Sequence, residues 1–408
     1  MLLKKLVKKT LGIKDQCVEK IIEDGDEIHI YLEHISSHHA TCSCCGRRMK
    51  VRDRLQMRRW RHVPLWNIPV FIYYRPVRVK CSQCGIKVES IPWSHGKSCL
   101  SKPLSHTMSV WSRQLPMDVV SRIFGVSWNA VYSGVKQVVA YGLANRKESG
   151  ARILGIDEIS RKKGHKYLTQ IYDLIDRKLL SNFEDRTYEG LKTYFESLGD
   201  ANLRKIKIVC CDMWDPYIKA IKEKLPDAAI VFDKFHIVRH LLDAVNKVRK
   251  QEAASLKKTN PELLKGTRYI WLKNPWNLTD KQKQRFSHLE KMNLKINRAY
   301  LLKENFRELW TYANRAQAKK FLDQWFWWAT HSRMEPMRKF AWMVREHEEG
   351  ILSYCEHPYT NAVAEAMNNN AKAISHSARG YRSTNTLSIL LMHRLGKLDM
   401  PKMMHRFA

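Results

Sequence analysis

Apolar and polar residues alternate through Glu27-Ile28-His29-Ile30-Tyr31-Leu32, the two-residue period of a strand with one buried face. A second strand-like stretch covers residues 69–80, and each of the two leads into a cysteine pair. From residue 103 to 139 the period becomes helical. Leu115-Pro116-Met117-Asp118 opens a helix through Val119, Val120, Ile123 and Phe124, Gly125-Val126-Ser127 makes a turn, and residues 128–139 form the next helix. This is helix-turn-helix spacing, with Ser127 as N-cap and Asn129, Tyr132 and Lys136 on the exposed side of a helix of the kind that enters a DNA major groove.

A third pattern begins near residue 151. The apolar run Ile153-Leu154-Gly155-Ile156 ends in Asp157-Glu158, as in a strand buried on both faces. Because successive strand residues face opposite sides, only one of these two acids can point into a given site. Strands are expected at 167–175 and 178–185, with a turn at Asp176-Arg177, followed by a helix at 188–198 and a buried strand at 206–211 that ends at Asp212. Asp215-Pro216 then reads as N-cap and first residue of a helix that Leu225-Pro226 stops. A further strand at 228–232 leads into Asp233-Lys234-Phe235-His236, an accessory pair in Asp233 and His236. Asp212 therefore stands at a strand's carboxyl end, where open α/β sheets place ligands.

Three strands, then helix, strand, helix, strand, with acids on the first and fourth strands, is the plan of a ribonuclease-H-like nuclease core. Such a core needs a third acid on a later helix. Asn361, Glu365 and Asn368 share one helical face, and Glu365 is flanked by alanines and asparagines rather than lysines. Glu348, Glu349 and Glu356 are its rivals. The long stretch between the second and third acids is rich in Lys, Leu, Gln and Glu at helical spacing, with a capping box from Thr279 to Gln282, and reads as a helical insertion. Within it Trp325, Trp327 and Trp328 read as core. Lys247, Arg249, Lys250, Lys257 and Lys258 suit either phosphate tracking or a solvated face.

Composition sharpens this picture. Lysine and arginine number 72 against 40 aspartate and glutamate, a formal charge of +32, which calls for a polyanionic partner such as nucleic acid. The 408 residues are too many for one ordinary domain. No apolar run approaches the roughly 20 residues of a membrane span and the start lacks a signal peptide's apolar stretch, so a soluble, cytoplasmic, nucleoid-associated protein is expected. Of ten cysteines, Cys42, Cys45, Cys81 and Cys84 form two C-x-x-C-G knuckles suited to tetrahedral structural zinc, with Cys44 and Cys99 as competing thiols. Between the knuckles, Arg59, Trp60 and Arg61 combine cations with a large aromatic, suited either to DNA phosphates and stacking or to a charged hairpin face.

These motifs together resemble bacterial insertion-sequence transposases of the ISL-three type. The likeness rests on C-x-x-C-G at Cys42 and Cys81, Arg59-Trp60-Arg61-His62, Gly155-Ile156-Asp157-Glu158, Asp212-Met213-Trp214-Asp215-Pro216-Tyr217, Asp233-Lys234-Phe235-His236, Ala299-Tyr300-Leu301-Leu302-Lys303-Glu304, Thr360-Asn361 through Asn368, and Arg379-Gly380-Tyr381-Arg382. Departures are Cys44, Ser43 where the family often has proline, and Ala366 where glycine is usual. The resemblance implies a DDE enzyme in which Asp157, Asp212 and Glu365 hold two Mg (or Mn) ions and carry out cleavage at element ends and strand transfer. Its partners would be double-stranded DNA, both terminal inverted repeats and target, bound by a homodimer or higher oligomer.

The expected architecture is multidomain α+β. It comprises a zinc-binding module at 1–100, a helix-turn-helix domain at 101–148, a ribonuclease-H-like α/β catalytic core at 149–235 and 355–400, and a helical insertion at 236–354. The alternatives are a nuclease or resolvase of the same fold without strand transfer, and a non-catalytic DNA-binding regulator.

Overall fold

The computed structural model describes residues 2–146, 150–162, 166–378 and 380–401. Two contact-dense units divide the chain, Met1–Lys147 with Ala373–Ala408, and Glu148–Lys372.

The first unit opens with helix α1 (Leu2–Leu11) and seven principal strands: β1 (Gln16–Asp24), β2 (Glu27–His34), β3 (Val51–Arg54), β4 (Arg58–Leu65), β5 (Ile68–Tyr74), β6 (Val77–Cys81) and β7 (Gly85–Val88). They form a four-stranded sheet ordered β1-β2-β5-β4 and a three-stranded sheet ordered β3-β6-β7. One face of the larger sheet buries Ile30, Leu32, Trp60, Ile72 and Tyr74 with Val7, Leu11 and Trp93. Alternation sends His29, Tyr31, Phe71 and Tyr73 to the opposite face. Helices α2 (Lys102–Trp111), α3 (Met117–Phe124) and α4 (Trp128–Ala144) follow, with α2 and α3 packed against α4. The α3–α4 turn is built as its residues require. Gly125 takes the left-handed φ of 57° that an L side chain resists, and Ser127 Oγ accepts a hydrogen bond from Ala130 N at 3.3 Å.

The second unit holds a five-stranded sheet of β8 (Ile153–Lys162), β9 (Lys166–Asp173), β10 (Lys178–Glu184), β11 (Ile208–Cys211) and β12 (Ala229–Phe232) in the order β10-β9-β8-β11-β12. The first three strands are antiparallel, while β11 and β12 run parallel to β8. Leu154, Ile156 and Ile171 pack with residues of α5 (Tyr188–Leu198) and α6 (Asp215–Lys224), including Leu191, Phe195 and Ile221. Asp215 is the first residue of α6 rather than its cap, which is Trp214 without a side-chain bond. From α7 (Lys234–Ser255) the described chain is helical through α8 (Asp280–Leu289), α9 (Lys295–Arg307), α10 (Arg315–His331), α11 (Glu335–Glu346) and α12 (Glu348–Glu356). The Thr279–Gln282 capping box is formed. Trp325 is fully buried, its Nε1 donating to Leu302 O at 2.9 Å, whereas Trp327 and Trp328 are exposed.

Helix α13 (Ala362–Ser377) follows, and α14 (Thr384–Leu395) packs against α4. His393 Nε2 donates to Ser109 O at 2.7 Å and Arg394 Nε to Ser112 O at 2.9 Å. The compact units are divided differently from the expected domains. The segment 355–400 does not close as one piece with the second unit's sheet, because residues from Ala373 onward cluster with the first unit. Likewise, 1–100 and 101–148 cluster as one unit rather than two.

Candidate active site

Asp157 stands on β8 directly across from Gln170 of β9. Its Oδ1 accepts a hydrogen bond from Glu158 N at 2.7 Å. Burial, reinforced by the neighbouring charges of Asp212 and Glu158, pushes its carboxyl from 3.8 up to about 7. Glu158, on the opposite face, is engaged elsewhere. Its Oε1 accepts from Arg186 Nε at 2.9 Å, and Arg186 in turn stacks over Trp214 at 4.7 Å. That pairing leaves Asp157 as the acid of the two without a cationic partner at hydrogen-bond distance.

Asp212 follows the last residue of β11, the strand beside β8. Its Oδ1 lies 2.8 Å from His236 Nδ1, and Asp233 Oδ2 lies 2.9 Å from the same nitrogen. One N–H serves one acceptor well, and the aligned bond is to Asp233. Asp212 Oδ1 is therefore buried without an aligned donor. The two carboxylates hold the imidazole charged, pushing it up to about 10. Asp233 also caps α7 by accepting from Phe235 N at 3.2 Å. Asp212, Asp233 and His236 offer three ligand atoms within 4.8 Å of one another.

Glu365 projects from α13, which is tied to β8 on both sides of it. Asn361 Nδ2 donates to Ile156 O at 3.1 Å, and Asn368 Nδ2 to Glu158 O at 3.3 Å while its Oδ1 accepts from Tyr172 Oη at 2.6 Å. Glu365 lies between these two anchors, exposed, with no ion-pair partner among the described residues. Its three rivals are all paired: Glu348 with Lys319 and Arg345, Glu349 and Glu356 with Arg315. The charge of Asp212 thus acts on Asp157, and Glu365 stands on a helix anchored to the same strand, but Asp157, Asp212 and Glu365 do not form a group of ligand atoms within 4.8 Å of one another. Close packing enforces this arrangement at Gly155, where an added Cβ would meet Leu174 Cδ2 at 2.5 Å and Asn361 Oδ1 at 2.9 Å.

Sequence reasoning missed Gln170. It is fully buried on the face of Asp157, and neither end of its amide finds a partner among the described residues. Nothing marked it in the sequence, since its strand also carries Lys166, Thr169 and Asp173.

Cys42, Cys45, Cys81 and Cys84 offer sulfur atoms within 4.8 Å of one another, with Cys45 and Cys81 at 3.5 Å. Tetrahedral zinc with Zn–S near 2.3 Å needs sulfurs about 3.8 Å apart. Gly46 and Gly85 both take φ of 73°, turning backbone N–H groups toward the sulfurs. The N–H groups of Gln83 and Cys84 lower the Cys81 thiol to about 7, and those of Cys45 and Cys44 lower Cys42. Cys44 lies outside this group of four, and all ten cysteines are free.

The expected DNA contacts divide sharply. Trp60 is fully buried with Nε1 donating to Ser94 Oγ at 2.8 Å, so its ring cannot stack on a base; that expectation is corrected. Arg61 Nη1 donates to Gly125 O at 2.8 Å, bracing the α3–α4 turn. Arg59 remains exposed. Ser127 is spent as the α4 cap, Asn129 and Lys136 are exposed, and Tyr132 is half-buried with its ring stacked on Trp128 at 5.3 Å. In the Ala299–Glu304 motif, Lys303 is buried and donates to Trp271 O and Lys273 O. Arg379 lies outside the described residues.

The second unit holds a mixed sheet with Asp157 within one strand and Asp212 just past the end of the parallel neighbour, and the first unit holds a cysteine cluster that could bind a metal ion. Residues 154–391 match a family model of the DDE class and ISL3 type described as transposase, and the chain belongs to that family. It is 28% identical over 389 residues to the transposase for insertion sequence element IS1001 of Bordetella parapertussis, covering 94% of this chain and 96% of that one. It is 26% identical over 421 residues to the transposase for insertion sequence element IS1557 of Mycobacterium tuberculosis, covering 95% and 94%. Among the described residues no helix is long and apolar enough to cross a membrane.

Proposed function

We propose that this transposase binds the terminal inverted repeats of its element and carries out Mg-dependent DNA cleavage and strand transfer on a ribonuclease-H-like core, with Asp157, Asp212 and Glu365 as the acidic triad. The observation that carries the reading is the Asp157–Asp212 pair: one carboxylate within β8, the other just past the end of its parallel neighbour β11, the first raised to about 7 by burial and by the charges of Asp212 and Glu158.

A divalent metal fits these residues. The donors are hard oxygens, Asp212 Oδ1 lacks an aligned donor, and a cation would relieve the repulsion between Asp157 and Asp212. Asp157, Asp212 and Glu365 are the residues that would hold the ions. Bound there, such ions supply activation of a water or 3′-hydroxyl and stabilisation of the leaving oxygen. Asn361 and Asn368 fix the helix of Glu365 against β8. His236, oriented by Asp233, places a positive charge beside Asp212. Exposed Asn129 and Lys136, with Tyr132, are the groups we assign to duplex contacts, and Arg59 to phosphate. The four cysteines would hold structural zinc.

Incubating the purified chain with labelled element ends and Mg tests this. The parent should bind, cut and join, and Asp157→Asn should bind without cutting; cleavage by that variant would remove the triad assignment. Size analysis of the DNA complex should give at least a dimer, since two ends must be paired.

A further inference from the structure

The open face of the four-stranded sheet carries two rows of side chains in register. Lys20, Tyr31, Tyr73 and Arg59 make one, and Ile22, His29, Phe71 and Arg61 the other. Tyr31 and Tyr73 stack at 4.7 Å with 14° between their rings, and His29 stacks on Phe71 at 5.9 Å. Cations close the rows: Lys20 Nζ lies 4.8 Å over Tyr31, and the Arg59 guanidinium 4.8 Å over Phe71. Ile22 is 38% exposed at the row's end. Phe71 is buried beneath the guanidiniums of Arg59 and Arg61, whereas Tyr31 and Tyr73 are half-exposed, leaving their rings partly in water. Helix α1 packs on the other side, with Trp60 and Ile72.

Beside Tyr31 opens a cavity of about 320 Å³ whose walls include Lys20, Tyr31, Arg54, Met57 and Arg75, within the range of small-ligand sites. Glu19 and Glu33 also line it, but Glu33 is already paired with Arg54 at 3.0 Å. Arg75 is exposed and has no ion-pair partner among the described residues.

We propose that this face is a binding site for single-stranded DNA, with a base stacked on Tyr31 in the cavity and phosphates on Lys20, Arg75 and Arg59. A mobile ammonium over a ring is readily displaced by a base, and then sits free to meet that base's phosphate. Ring faces accept any base, and flanking cations track the backbone. Four strands at about 4.8 Å spacing give a path of roughly 14 Å, room for two or three unstacked nucleotides. A duplex, whose bases are already stacked, cannot use the rings. The choice of DNA rests on the transposase reading, in which strand cleavage exposes unpaired ends.

The test is fluorescence anisotropy of the full zinc-loaded chain, without Mg, using labelled oligothymidine of about 12 nucleotides and a duplex of equal length. Tyr31→Ala should weaken oligothymidine binding about tenfold or more and leave duplex binding unchanged, while Tyr31→Phe retains both. Lys20→Gln with Arg75→Gln should flatten the salt dependence for the single strand. Unchanged oligothymidine binding in a Tyr31→Ala protein with parental circular dichroism and zinc content overturns the proposal, as does equal weakening for duplex. If Tyr31→Ala does not fold, the Lys20→Gln, Arg75→Gln protein decides by the same criterion. Cleavage of element ends is read separately, so loss of one activity identifies which reading has failed.

Discussion

Replacing Asp157 with asparagine should make the second unit more stable while abolishing cleavage. The carboxyl rises from 3.8 to about 7 on folding because burial and the charges of Asp212 and Glu158 disfavour its ionised form. Between those values the folded chain keeps a proton that the unfolded chain has released, so stability falls as pH rises from about 4 to about 7. At about 1.4 kcal/mol per pH unit, the penalty reaches up to about 4 kcal/mol near pH 8 and about 2 kcal/mol near pH 5. Asparagine keeps the shape and still accepts from Glu158 N, but it cannot ionise. Urea unfolding followed by tryptophan fluorescence in chelator should therefore show Asp157→Asn ahead of the parent by a margin that grows between about pH 5 and pH 8. Added Mg should shrink the margin, because only the parent carries the charge that a cation balances. A variant no more stable than the parent at high pH, or one whose advantage is the same at both pH values, would refute the reasoning.

Trp60→Ala should cost about 3–5 kcal/mol, as expected for emptying a core aromatic site, whereas Arg59→Ala should leave the melting temperature of the first unit unchanged and weaken DNA binding in a gel-shift assay. Asn368→Ala removes the tie from α13 to Glu158 O and strands the Tyr172 hydroxyl; a loss of about 1–3 kcal/mol and a larger fractional loss of cleavage are expected, measured by chemical unfolding and end-cutting in parallel. Gln170→Leu relieves an unpartnered buried amide, so thermal stability should hold or rise while cleavage falls; unchanged cleavage would mean that the amide does not face the reaction. Cys81→Ser should release bound zinc, quantified by atomic emission, and lower the melting temperature of the first unit without shifting that of the second.

The strands and helices of the second unit were legible because their apolar runs are bounded by acids, prolines and glycines. The helix at Tyr188–Leu198 matches the expected bounds, and β11 and β12 differ from expectation only at their starts. Ser127 and the Thr279 capping box could be read because N-caps act within four residues. Trp60 could not. Its flanking arginines look like a nucleic-acid motif, yet the strand alternation that exposes Arg59 sends Trp60 inward, and only the packing of Trp93 and Ser94, far along the chain, reveals a core behind it. The aromatic rows were invisible for the same reason, since each row takes one residue from each of four strands. The clustering of residues from Ala373 onward with the first unit depends on contacts between α14 and α2, separated by more than 280 positions, a distance over which local periodicity carries no information.

That long-range closure has a bearing on synthesis. A ribosome delivers α3 and α4 early, but His393 and Arg394 reach Ser109 and Ser112 only after the whole acidic sheet and its helical insertion have emerged. The hydrogen bonds that tie α2 to α14 thus form only after the second unit's sheet and helices have been made, and a product terminated before residue 393 lacks them.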